Sequence, residues 1–181
     1  MQLKLPQRLY LIFEARNIAL DPDDKLIKVE SVDHLHRFLY FLNYSSLNRC
    51  GKIKIFIRTS RDIISISPIF QIPSSLKEFR KMLKHCLLGL DVKSGETSLM
   101  QLRKNLPDLP DTQYFFQYDS RKVIEPHLIT ESLAIFFNLD GMKTSTNTSV
   151  AQPVRFSQYP LEPLQQCASI LHCLEEINNI Q

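Results

Sequence analysis

No apolar run in the 181 residues approaches the ~20 residues that a membrane-spanning helix needs. The opening residues Met1 to Pro6 lack the apolar stretch of a secretory signal. No Cys-x-x-Cys pair occurs: Cys50, Cys86, Cys167 and Cys173 are scattered, which argues against a zinc site. A disulfide framework is not expected in a chain of this size. There is no internal repeat and no low-complexity tract. Together these absences set aside membrane, secreted and zinc-finger classes and leave cytosol or nucleus as the expected compartment.

What is present is ordinary in bulk: 44% hydrophobic and 23% charged residues, the profile of a globular protein. The length suits one domain with a genuine core. Net charge is only +3, yet it is unevenly spread. Residues 1–90 hold 15 Lys and Arg against 8 Asp and Glu, whereas residues 91–181 hold 7 against 11. A basic half points to a phosphate-facing surface, and an ordinary solvated face explains it equally well.

The elements follow from periodicity. Leu9 to Phe13 reads as a buried first strand, Asp21 to Asp24 as a turn, and Val32 to Leu42 as a helix with Ser31 as its N-cap. Ile53 to Ile57 and Ile63 to Ser67, joined at Arg61-Asp62, predict a hairpin that Pro68 ends. Leu76, Phe79, Leu83, Cys86 and Leu87 mark one face of a helix whose other face carries Lys77, Arg80, Lys81 and Lys84. Leu88 to Asp111 reads as a loose connector with a short helical piece over Ser98 to Lys104. Strands are expected at 113–117, 133–137 and 154–156, an exposed loop over Thr144 to Ser149, and a last helix from Glu162 to Ile177. Cys86 and Cys167 fall on apolar helix faces and read as small core residues. Strands interleaved with helices indicate an α/β domain with a mostly parallel sheet.

Several of these stretches, in this order, resemble one family. Ser45-Ser46-Leu47-Asn48-Arg49, then Ile57-Arg58-Thr59, then Gln71-Ile72-Pro73 and a helix are similar to the core of the SPOUT-class methyltransferases that act on N1 of a pseudouridine in small-subunit ribosomal RNA. That family, the nucleolar essential ribosome-biogenesis proteins, writes roughly Asp-Ser-Pro-Leu-Asn, Ile-His-Thr and Arg-Ile-Pro-Arg there. Ser157-Gln158-Tyr159-Pro160-Leu161 and the last helix resemble its Ser-Asn-Tyr-Pro-Leu segment. The likeness covers about residues 9–20 and 31–180. It implies a single SPOUT-like (α/β-knot) domain over 1–181, with 1–90 on the RNA side and 91–181 as the cofactor and dimer half.

The resemblance assigns roles residue by residue. Asp33 and His36 match the Asp and His of the family's Arg-Pro-Asp-x-x-His, so Asp33 is the candidate catalytic carboxylate, beside the target base. A second reading stands next to it: an acid in the first turn of a helix interacts well with the helix dipole. His36, next to core positions, reads as structural. The family's phosphate-holding arginines fall on Gln71, Ser74 and Glu78, none of them cationic. The candidate RNA contacts are therefore Arg58, Arg61, Lys77, Arg80, Lys81 and Lys84. Asn138, Leu139, Asp140 and Gly141 stand where the family has a glycine-rich cofactor loop, although Asp140-Gly141 also reads as a plain turn. With Gln158, Tyr159 and Leu161 they form the candidate S-adenosylmethionine pocket.

The activity implied is methyl transfer from S-adenosylmethionine to ribosomal RNA, in the nucleolus or nucleus if the chain is eukaryotic and otherwise in the cytoplasm. Small-subunit rRNA, pre-ribosomal proteins and a second copy of the chain are the implied partners. Two alternatives remain open on the residues: a non-catalytic RNA-binding assembly factor on the same scaffold, and a related enzyme with another RNA substrate.

Overall fold

A computed structural model describes residues 8–23, 25–27, 29–125, 129, 131–141, 151–159 and 161–177. The expected loop Thr144 to Ser149 and residue Pro160 lie outside the described residues.

Leu9–Glu14 forms β1, Ile53–Arg58 β2, Ile63–Ile66 β3 and Leu133–Asn138 β7. Their side chains are buried on nearly every position, as expected of apolar runs covered on both faces. β1 lies between β2 and β7 and is parallel to both, with Glu14 level with Arg58 on one side and Asn138 on the other. Two further parallel strands, β6 (Gln113–Phe116) and β8 (Gln152–Val154), extend that side of the sheet. β3 turns back antiparallel on β2, followed by β5 (Thr97–Arg103) and β4 (Val92–Ser94). The order is β4-β5-β3-β2-β1-β7-β6-β8, so basic and acidic halves of the chain meet inside one mostly parallel sheet.

The stretch expected to hold a short helix over Ser98 to Lys104 is strand β5 instead. Local pattern allows either structure, but Met100 and Leu102 pair with Ile66 and Ile64 and turn toward the core, and tertiary pairing decides. Gly95, at φ +59°, supplies the left-handed turn that folds β4 back on β5. The connector therefore widens the sheet.

The helices are α1 (Glu30–Leu42), α2 (Ser46–Arg49), α3 (Leu76–Leu87) and α4 (Pro163–Ile177). All four place their apolar residues in one cluster, against Leu11, Phe13, Ile55, Ile57 and Phe137 on one face of the sheet. Cys86 and Cys167 belong to it, and burial pushes their thiols up to about 11 and about 12. On the opposite face Ile12, Phe56, Ala134 and Phe136 are packed by Leu106, Leu109 and Ala151. Among the described residues no helix lies on that side.

Caps and ties explain where the helices sit. Ser75 caps α3, its Oγ accepting from the Glu78 amide at 3.4 Å, so Ser75-x-x-Glu78 is the signature of a capped N-terminus. The expected N-cap of α1, Ser31, is one residue inside the helix; Val29 holds the cap position without a side-chain bond. Ser31 is drawn away by a tertiary partner, its hydroxyl donating to Asp140 Oδ1 at 2.8 Å. His36 is structural as expected: Nε2 donates to the Pro73 carbonyl at 2.7 Å and the ring packs 5.1 Å from that of Phe79.

Candidate functional site

Parallel strands that leave a central strand in opposite directions open a crevice at their C-terminal ends, where α/β proteins bind ligands. Here that point lies between β1 and β7, at Glu14 and Asn138. A cleft of about 480 Å³ opens beside it. Asn138, Leu139, Asp140 and Gly141 form its strand-end wall, all four from the expected cofactor loop. The start of α1 supplies Glu30, Ser31, His34, Arg37 and Phe38, and the start of α4 supplies Glu162, Pro163 and Leu164. Asn17, from the loop after β1, closes the wall.

Asp140 organises this wall. Its carboxylate accepts the amides of Arg16 (2.5 Å) and Asn17 (3.3 Å) as well as the Ser31 hydroxyl, and its own amide donates to Asn138 Oδ1 at 2.9 Å. One side chain thus joins the β7 loop, the β1 loop and α1. Gly141 follows at φ +124°, a conformation that L side chains rarely adopt. A Cβ there would meet nothing within 4 Å, so the glycine serves the backbone angle rather than a close approach. Beneath the cleft, Phe38 packs 5.1 Å from Phe13 and 5.4 Å from Phe137, a rigid aromatic floor.

The other expected cofactor residues, Gln158, Tyr159 and Leu161, do not line the cleft; the chain reaches it at Glu162. Tyr159 is exposed. Gln166, fully buried, holds the segment: its Oε1 accepts from the Phe156 amide at 2.5 Å and its Nε2 donates to the Leu161 carbonyl. Asp33 is also off the wall. It forms an ion pair with Arg80, Nη2 to Oδ1 2.6 Å, that ties α1 to α3. The candidate base-side carboxylate Asp33 and the candidate RNA contact Arg80 are thus paired with each other.

Of the other expected RNA contacts, Arg58 is held by Glu14 at 2.7 Å and lies over the Phe136 ring. Arg61, Lys77 and Lys81 are exposed, and Lys84 is half-buried.

Glu14 escaped sequence reasoning. It is 2% exposed, its Oε2 makes no hydrogen bond, and Arg16 Nε stands 3.7 Å from it. Burial raises its carboxyl above the usual range, and Arg58 and Arg16 oppose that shift. An acid closing an otherwise apolar strand was the one available signal. His34, Arg37, Glu30 and Glu162 carried no signal beyond being polar residues at helix starts.

Comparison with known proteins follows the same lines. The model of the EMG1/NEP1 methyltransferase family matches residues 21–175. Over 159 residues the chain is 28% identical to the ribosomal RNA small subunit methyltransferase nep-1 of Caenorhabditis elegans, covering 80% of this chain and 68% of that one. It is 26% identical over 166 residues to the ribosomal RNA small subunit methyltransferase mra1 of Schizosaccharomyces pombe, covering 82% of this chain. There it spans only 45% of the relative's length. The crystal structure of Archaeoglobus fulgidus Nep1 bound to S-adenosylhomocysteine superposes with a TM-score of 0.75 at 12% identity, over 96% of this chain and 99% of that one. The SPOUT-like fold expected from the sequence is the fold observed.

Proposed function

Since the chain belongs to the EMG1/NEP1 methyltransferase family, we propose that it transfers a methyl group from S-adenosylmethionine to N1 of a pseudouridine in small-subunit ribosomal RNA. The observation that carries this reading is the cleft at the ends of β1 and β7, walled by Asn138 to Gly141.

The residues present suit the cofactor. A cleft of about 480 Å³ lies in the range of small-molecule sites. Phe38, Leu139 and Leu164 offer apolar surface to a nucleoside, Arg37 can hold a carboxylate, and Glu30 and Glu162 favour a cation. Bound there, S-adenosylmethionine supplies an electrophilic methyl on a sulfonium. The chain's part is to orient and to manage one proton. Asp140 fixes the wall, and Asp33, aimed by Arg80, is the carboxylate that takes or steers the proton on the base nitrogen. In this reading the protein works on pre-ribosomal particles in the nucleolus. It pairs with a second copy through α4, where Ile177 leaves apolar surface exposed.

Calorimetric titration with S-adenosylmethionine and S-adenosylhomocysteine tests the reading. Micromolar binding, about −8 kcal/mol, is the expected result. Asp33→Asn is then expected to lose methyl transfer by roughly a hundredfold while keeping cofactor affinity. No heat at millimolar cofactor overturns catalysis by this chain and leaves an RNA-binding assembly factor.

A further inference from the structure

Side chains alternate between the two faces of a strand, so pairing register fixes which residues share a face. Opposite the helices, Phe56 is level with Ser65 and Ser65 with Gln101, while Arg58, Ile63 and Arg103 form the next row. Leu106 and Leu109 cover the parallel part of this face. The antiparallel part is left with a groove of about 210 Å³, walled by Lys54, Phe56, Ser65, Ser98, Gln101 and Arg103.

Among the described residues the cations of that groove, Lys54 and Arg103, have no ion-pair partner. Arg103 is steered by neutral groups, Ser65 Oγ at 3.1 Å from Nε and Gln101 Oε1 at 3.4 Å from Nη2. The nearby acid in β1, Glu14, is engaged by Arg58. The helical side differs. There Arg80 is engaged by Asp33, and Gln71, Ser74 and Glu78 stand where the resembling family has arginines.

We propose that the groove on the helix-free face is a second RNA contact, taking phosphates of a single strand on Lys54 and Arg103. Lys54 and Arg103 sit on strands two apart, roughly 10 Å across the sheet, and Arg103 is level with Arg58, four residues along β2 from Lys54, so the two cations are far enough apart to engage different phosphates. Ser65 and Gln101 between them offer hydrogen bonds to sugar or base, and the sheet surface suits a strand laid along it. This contact rests on the reading of the protein as one that acts on RNA, but does not depend on methyl transfer.

The test uses the full chain and a fluorescein-labelled single-stranded oligouridine of about 12 nucleotides, followed by anisotropy across a salt series. Lys54→Gln with Arg103→Gln is expected to weaken binding roughly tenfold. It should also reduce the slope of log affinity against log salt by about 1.4, or ~0.7 for each lost phosphate contact. Lys54→Arg with Arg103→Lys, which keeps both charges, is expected to bind nearly as the parent and guards against a folding defect. Unchanged affinity and slope in the Gln variant overturn the proposal. If Lys77→Gln with Lys81→Gln then abolishes binding, RNA keeps to the helical side and the functional reading survives. Binding of an oligoglutamate peptide but not RNA by the parent protein also overturns it. Cofactor calorimetry on the same proteins separates the two readings. RNA binding lost in the Gln variant without any cofactor binding upholds the groove and overturns methyl transfer.

Discussion

Glu14 is a carboxylate that the fold isolates at the end of its central strand, 2% exposed and held by Arg58. Its ordinary value is 4.5 and burial raises it, so between 4.5 and the raised value the folded state binds more protons than the unfolded one. The stability it contributes is present in full below 4.5 and is lost as pH rises through the raised value. Glu14→Gln cannot titrate. The melting temperature of the parent relative to this variant is therefore expected to fall as pH is raised from 4.5, a trend that paired thermal melts across pH would read. A parallel pair of curves would rule out Glu14 as the source. Asp33 and Asp140 show the same sorting of acids by partner: one is bound to a guanidinium, the other to two amides and a hydroxyl. Sequence placed Asp33 in the first turn of a helix and Asp140 in a loop, but a carboxylate's partner comes from another element and leaves no local trace.

Among the elements, α2 and α4 show why two distant stretches of the sequence resemble the same family. Glu175, near the end of α4, accepts the Ser45 hydroxyl at 2.9 Å and the Leu47 amide at 3.2 Å, satisfying the start of α2. Glu175→Ala is expected to cost about 1–2 kcal/mol, because it leaves buried Ser45 and an amide of the first turn without their acceptor. Urea unfolding would measure it, and Glu175→Gln, which keeps an oxygen acceptor, should recover part of the loss. A loss no larger than that of an exposed substitution would refute the tie. Element types were largely legible: β1, the hairpin of β2 and β3, and α3 follow from apolar periodicity alone. β5 was not, because Thr97 to Arg103 takes its structure from β3.

At the scale of the whole molecule, one sheet buries a single large cluster against its helices, and among the described residues only a small cluster without helices forms on the opposite face. Its closure can be followed through the thiols. Cys50 is exposed and Cys173 half-buried, whereas Cys86 and Cys167 are buried with their ionisation pushed up to about 11 and about 12. A thiol-reactive reagent at neutral pH is expected to label Cys50 quickly and Cys173 more slowly. Cys86 and Cys167 should react only on unfolding, because the thiolate is the reactive form. Labelling of all four in the native protein, followed by mass spectrometry, would contradict this packing.

The sequence by itself determined the α/β class, the central strands and the family, and it singled out Asn138 to Gly141, which the structure places on the wall of the cleft. These are carried by local apolar period and by collinear motifs. Tertiary structure alone decided that Asp33 faces Arg80 and that Asp140 binds across three segments. It also decided that Lys54 and Arg103 share one groove. Each of these depends on which elements become neighbours in the sheet, and pairing energies between residues dozens of positions apart do not show in any local pattern.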